Sequence, residues 1–248
     1  MHGDNSAAEA HVTRVQMNNP LTSDQPIIEL TVEHRQPAVV SLPLGATRRR
    51  PVLIAVHGRD DTAAPHCEMW RSIVGDRAFV VCPTGVPSAV LPGTFTYDDH
   101  QALADEIDAG IAALRARFPE HVDDGPLVYA GFSLGSFHGV RVVNKDPGRT
   151  PRVVLIEGGH DPWDDATIAA FARGGGLRVL FVSGQEIHEE RSQRVASELG
   201  EAGVAARAVY AEGAGHVYTG FVRDRLAEMF DWVIEGDDRW KSERLPHL

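Results

Sequence analysis

Short runs of β-branched and aliphatic residues alternate along this chain with longer amphipathic stretches, and this alternation most restricts how the chain can fold. The runs are Ile27–Val32, Ala38–Leu42, Val52–Val56, Phe79–Cys82, Leu127–Phe132, Val153–Ile156, Leu177–Val182 and Ala205–Ala211. The later ones are nearly continuous in Val, Leu, Ile and Ala, as strands covered on both faces must be. Between them the spacing predicts helices over roughly His100–Phe118, Ser133–Lys145, Asp164–Arg173, Glu189–Ala202 and Phe221–Ile234. In the first of these, Leu103, Ile107, Ile111 and Leu114 share one face, and Pro119 follows the end. Such alternation implies an α/β fold with a mostly parallel central sheet of about eight strands and helices on both faces. The first two runs lie close together, which suits an antiparallel hairpin at the sheet edge.

At 248 residues, with 43% hydrophobic and 24% charged, the chain has material for a sizeable core. No repeat, low-complexity linker or compositional shift divides it. The expected organisation is a flexible segment over 1–25, one α/β domain over 26–236, and a polar tail over 237–248 from which Trp240 packs back onto the body. A net charge of −11 argues against nucleic-acid partners and against a polybasic membrane surface. Arg48-Arg49-Arg50 reads as a solvated loop. The amino-terminal stretch lacks the apolar core of a signal peptide, and no run is long enough to span a bilayer. The expectation is a cytoplasmic protein without membrane insertion, or a secreted one should a leader have been removed. Cys67 and Cys82 form neither a disulfide framework nor a metal spacing. Cys82 reads most simply as a buried small hydrophobe, with a Cys67–Cys82 bridge left open for a secreted protein.

The stretch "LVYAGFSLGSFHGV" places Ser133 between Gly131 and Gly135 where a strand ends and a helix begins. A serine on so tight a turn adopts a strained backbone and needs small residues two before and two after it; the turn then lifts the hydroxyl above the sheet. The helix that starts there offers free N–H groups and a positive dipole end to developing negative charge. A serine hydroxyl needs a base within hydrogen-bond reach. His216, in "AEGAGHVYTG", follows the last strand and precedes the last helix, at the same carboxyl edge where sites of open α/β sheets lie. Upstream, "LIAVHGRDD" turns sharply after another strand. The N–H of Arg59, with Asp60 as fallback, and the N–H of Leu134 are the candidate oxyanion donors. His57 reads as structural, packed beneath that loop.

His57-Gly58 after the third strand, Gly131-Phe132-Ser133-Leu134-Gly135 after the fifth and Gly215-His216 after the eighth resemble the α/β-hydrolase superfamily over nearly the whole chain. The nucleophile precedes the histidine, as it does in that family. The sequence is most similar to small esterases of the carboxylesterase and dienelactone-hydrolase kind. The resemblance implies a two-step acyl transfer without a cofactor: Ser133 attacks a small-molecule ester, and water activated by His216 releases the acyl group.

The family's aspartate is expected about three residues beyond the glycine ending the seventh strand, and that position, counted from Gly184, holds Ile187. Two carboxylates compete to replace it. Glu157 stands directly at the end of the sixth strand, where some superfamily members, certain haloalkane dehalogenases among them, carry their acid; Glu186 sits one position early. Glu157 is favoured over Glu186, and Asp161 is a distant third. Metal ligation is not expected, because neither His160, Asp161, Asp164 and Asp165 nor His188-Glu189-Glu190 forms H-E-x-x-H or another strong ligand spacing. Trp70, Phe95, Tyr97, Phe137, Trp163 and Tyr218 are candidates for a pocket lining. The segment from about 158 to 176 is too short for a large cap, which predicts an open site. The rival expectations are a non-catalytic binding protein of this fold, a thioesterase and a lactonase.

Overall fold

The computed structural model describes residues 19–243; the expectations for 1–18 and 244–248 lie outside the described residues. In chain order the elements are β1 (Ile27–Leu30), β2 (Ala38–Ser41), β3 (Val52–Val56), α1 (Ala63–Val74), β4 (Phe79–Cys82), β5 (Val86–Pro87) and β6 (Phe95–Thr96). They continue with α2 (His100–Arg117), β7 (Val128–Phe132), α3 (Leu134–Val143), β8 (Arg152–Ile156) and α4 (Asp165–Arg173). The last are β9 (Arg178–Ser183), α5 (Glu186–Glu201), β10 (Ala205–Tyr210) and α6 (Phe221–Ile234).

The eight long runs form one sheet in the order β1-β2-β4-β3-β7-β8-β9-β10. The β1–β2 pair is antiparallel at one edge, and from β4 to β10 every pairing is parallel. Register aligns the carboxyl ends: Val56 pairs with Gly131, Phe132 with Ile156, and Ile156 with Val182. Loops leaving β3, β7, β8 and β9 therefore open on one rim.

Alternate strand residues enter two apolar layers. On one face Ile54, Val81, Tyr129, Leu155 and Phe181 pack with Leu103 and Ile107 of α2, Val140 of α3 and Val195 of α5. On the other, Leu53, Val80, Ala130, Val154 and Leu180 pack with Trp70 of α1 and with Leu226 and Phe230 of α6. Burial of both faces explains why these strands lack polar alternation.

Three findings depart from expectation. Helix α1 is not apparent in the sequence because Pro65 interrupts its pattern, yet Pro65 lies in the first turn, where its missing N–H breaks no helical bond. Cys67 of α1 and Cys82 of β4, both fully buried, are joined in a disulfide across a Cα separation of 5.9 Å, so Cys82 is not a free apolar filler. Arg50 is buried rather than solvated: it donates to the Lys241 carbonyl at 2.8 Å and pairs with Glu243 at 3.0 Å. Arg49 does remain at the surface, paired with Asp124 at 2.6 Å. Trp240 is buried with its ring edge-on to Phe230. No helix among the described residues is long and apolar enough to cross a membrane.

Candidate active site

The sharp turn after β7 sets the site. Ser133 takes φ 52°, a left-handed conformation unusual for a residue with a side chain, and is held there by its N–H donating to Ile156 O at 2.8 Å. The flanking glycines are needed for space: a Cβ on Gly131 would lie 2.6 Å from the Gly135 backbone, and one on Gly135 would lie 2.7 Å from His57 O. Ser136, fully buried, fastens the first turn of α3 by donating to Gly131 O at 2.6 Å while accepting from Ile156 N at 2.9 Å.

Three loops bring side chains to this turn. His216 Nε2 lies 3.0 Å from Ser133 Oγ, and its side chain is 43% exposed, which leaves the pair open to solvent. The other ring nitrogen, Nδ1, lies 2.9 Å from Gln185 Oε1 and 3.6 Å from Glu157 Oε2. Glu157 extends the end of β8 with φ 54°; its N–H donates to Val182 O at 3.1 Å, and its Oε1 accepts from the Gly184 N–H. Oε2 is buried without a hydrogen-bond partner among the described residues and faces the imidazole. Burial pushes the Glu157 carboxyl up to about 7, against the lowering effect of the Gly184 N–H. Burial also holds His216 below its ordinary value.

Of the competing acids, Glu186 is exposed in the first turn of α5, and Asp161 is exposed and paired with Arg191 at 3.4 Å. Glu157 alone of the three has a carboxylate oxygen beside His216. Gln185 was not foreseen: an uncharged amide carries no charge signal, and its contact spans 31 positions of sequence.

The loop after β3 crosses directly over the serine. A Cβ on Gly58 would come 3.2 Å from Ser133 Cβ, so the residue before Arg59 lies against the serine. Neither the Arg59 nor the Leu134 N–H donates to an acceptor among the described residues. Asp60, the fallback donor, takes φ 54°, and its side-chain Oδ1 accepts from Ser88 Oγ at 2.5 Å. The ring nitrogens of His57, which is fully buried, lie 2.7 Å from Gly58 O and 2.9 Å from Thr84 O and clamp the loop from below.

A wall of rings borders the site. His66, anchored by Asp61 at 2.8 Å, stacks on Tyr218 with centroids 3.7 Å apart, and Phe132 packs against both and against the His216 ring at 5.1 Å. Burial pushes the Asp61 carboxyl up, but the His66 ring and the Thr62 N–H outweigh it and hold the group below its usual range. Among the candidate lining residues, Tyr218 and Phe95 are half-buried and Phe137 is exposed. Trp70, Tyr97 and Trp163 belong to the core instead: Trp70 packs on Phe230, Tyr97 donates to Pro83 O at 2.8 Å, and Trp163 meets Phe171 edge-on.

Sheet order, the strand–turn–helix at Ser133 and the convergent rim define an α/β-hydrolase fold, which the solved structures bear out. The chain is similar to the carboxylesterase of Bacillus cereus, at 17% identity and a TM-score of 0.60 over 81% of this chain and 95% of that one. It is similar also to Est1E from Butyrivibrio proteoclasticus (13% identity, TM-score 0.61, 85% of this chain and 99% of that one). A third is a carboxylesterase from Mesorhizobium loti (15% identity, TM-score 0.58, 83% and 99%). No protein-family model and no curated protein matches the sequence.

Proposed function

We propose that the protein is a serine hydrolase that cleaves carboxylic esters of small molecules. The observation that carries this reading is the 3.0 Å contact of His216 Nε2 with Ser133 Oγ while Nδ1 faces a buried carboxylate. His216 takes the hydroxyl proton as Oγ attacks the ester carbonyl, and the new oxyanion accepts from the N–H groups of Leu134 and Arg59, each worth a few kcal/mol. His216 then gives that proton to the departing alcohol. Water, deprotonated by the same ring, attacks the acyl-Ser133 ester and frees the acid. Glu157 keeps the proton on Nδ1 and offsets the imidazolium charge; the Gln185 carbonyl orients the ring but carries no charge to offset it. No cofactor enters these steps.

That the similar structures include carboxylesterases of Bacillus cereus and Mesorhizobium loti supports this substrate class. The half-exposed histidine supports an open site. The Cys67–Cys82 disulfide supports an oxidising compartment over the cytoplasm, where glutathione and thioredoxin keep most thiols reduced. The second reading is a non-catalytic binding protein; in its favour, the shorter Nδ1 contact is with Gln185 and not with the carboxylate.

A fluorophosphonate probe separates the two. Stoichiometric labelling that Ser133→Ala abolishes is the expected result, and folded wild-type protein that resists the probe would refute the enzyme. A series of p-nitrophenyl esters then ranks acyl length, with turnover highest at short chains for an open esterase site.

A further inference from the structure

The carboxylate of Glu157 and the imidazoles of His188 and His216 each present a ligand atom within 4.8 Å of the other two. They arrive from three places: the end of β8, the first turn of α5 and the loop after β10. Two of these groups hold a buried atom that makes no hydrogen bond among the described residues, Glu157 Oε2 and His188 Nδ1, and the Glu157 side chain is wholly shielded from solvent. A buried polar atom without a partner is costly, and native structures hold few. Behind His188 stands His160, 4% exposed, with its ring edge-on at 5.0 Å and neither of its nitrogens hydrogen-bonded among the described residues.

We propose that Glu157, His188 and His216 form an inhibitory binding site for a divalent transition-metal cation of the zinc type. Two imidazole nitrogens and one carboxylate oxygen are a donor set that zinc favours, whereas calcium and magnesium prefer oxygen alone. Zinc bonds of about 2.0–2.2 Å place tetrahedral ligand atoms roughly 3.4 Å apart. His216 Nδ1 and Glu157 Oε2 are already at 3.6 Å, so a rotation of His188 is what completes the set. Solvent at the exposed side of His216 supplies the fourth ligand.

The consequence follows from the tautomer. In the productive state Nδ1 carries the proton and the Nε2 lone pair faces Ser133 Oγ. A cation on Nδ1 moves that proton to Nε2, and an Nε2–H cannot accept the serine proton. The ring is held in place and its base function is lost. The sequence alone cannot reveal such a site, because its ligands lie on three separate elements and fit no local spacing. The inhibitory effect rests on the catalytic reading of Ser133 and His216; the binding does not.

The test uses the full chain after treatment with a chelator. Zinc chloride is titrated against hydrolysis of p-nitrophenyl acetate by wild type and by His188→Gln, a residue outside the proposed catalytic machinery. Cobalt(II) absorption is recorded in parallel for Ser133→Ala. The expected results are reversible inhibition of wild type at micromolar zinc, basal activity of His188→Gln within about twofold, and at least a tenfold higher zinc requirement in that variant. One cobalt per Ser133→Ala chain, with tetrahedral absorption bands lost on adding His188→Gln, is expected as well. Equal zinc sensitivity of wild type and His188→Gln, or no cobalt binding by folded Ser133→Ala, overturns the site. If wild type lacks esterase activity yet binds cobalt through His188, the site stands and the catalytic reading falls.

Discussion

In the proposed mechanism Glu157 must stay ionised to serve an imidazole, whereas burial favours its protonated form, and the conflict makes the residue testable in two ways. The first is kinetic. Glu157→Gln keeps the shape and the Gly184 contact but removes the charge that offsets imidazolium, so kcat is expected to fall by about 10⁴, measured on p-nitrophenyl acetate. Glu186→Gln, at an exposed position, should leave kcat near wild type. Reversal of the two results would move the acid to Glu186. For wild type, kcat/KM should rise with pH through about 7, because Glu157 must be ionised and His216 neutral, and burial holds His216 lower. The second is thermodynamic. The folded value of Glu157 lies above the unfolded one, so its favourable contribution is present at low pH and is lost as pH rises from near 4.5 through about 7. The neutral Gln variant escapes that loss. Its unfolding free energy from urea titration, relative to wild type, is therefore expected to improve between pH 5 and pH 8 by on the order of 3 kcal/mol at most; a constant difference would contradict the burial argument.

At the scale of elements, whatever is local was legible in the sequence and whatever depends on register was not. The turn at Ser133 announces itself through Gly131 and Gly135, since both glycines relieve clashes within the same strand–turn–helix and with the neighbouring β3 loop. The position of His216 follows from the last strand and last helix, each visible as an uninterrupted apolar or amphipathic run. The acid is different. Ile187 fills the usual position, and the choice between Glu157 and Glu186 turns on how β8 and β9 lie side by side, with Ile156 opposite Val182. No spacing within either strand records that pairing. Helix α1 was hidden by Pro65, and without it the sequence could leave a Cys67–Cys82 bridge open but not decide it. The disulfide ties α1 to β4 across 15 positions, a loop for which the chain-entropy argument gives about 3 kcal/mol. Urea unfolding with and without reductant should differ by an amount of that order, and superimposable curves would show that the bond does not form.

Across the whole molecule, the site and residues 237–243 lie at opposite ends of the sheet. Ser133 stands at the carboxyl end of β7, whereas Arg50 enters β3 from its amino end and meets Lys241 and Glu243 there. Glu243 also accepts from the Thr47 N–H at 2.9 Å and its hydroxyl at 2.8 Å, and Arg239 joins Asp123 at 2.7 Å to Asp237 at 2.6 Å. These contacts fasten the segments leading into β3 and β7 to the end of α6, and Trp240, only 2% exposed, fills the space between them. Over the described part of the polar tail, Trp240 is buried while Asp238, Lys241 and Ser242 stay exposed. Removing the indole leaves a cavity among Phe230 and its neighbours, so Trp240→Ala should lower stability by about 3–5 kcal/mol. The rim loops depend on their own hydrogen bonds at the other end of the sheet. In protein still folded at 25 °C, kcat and the rate of fluorophosphonate labelling should stay within about twofold of wild type, since sites without shared partners act nearly independently. A folded Trp240→Ala protein with kcat reduced tenfold or more would mean that the two ends are coupled through the sheet, contrary to this separation of a stabilising edge from a reactive one.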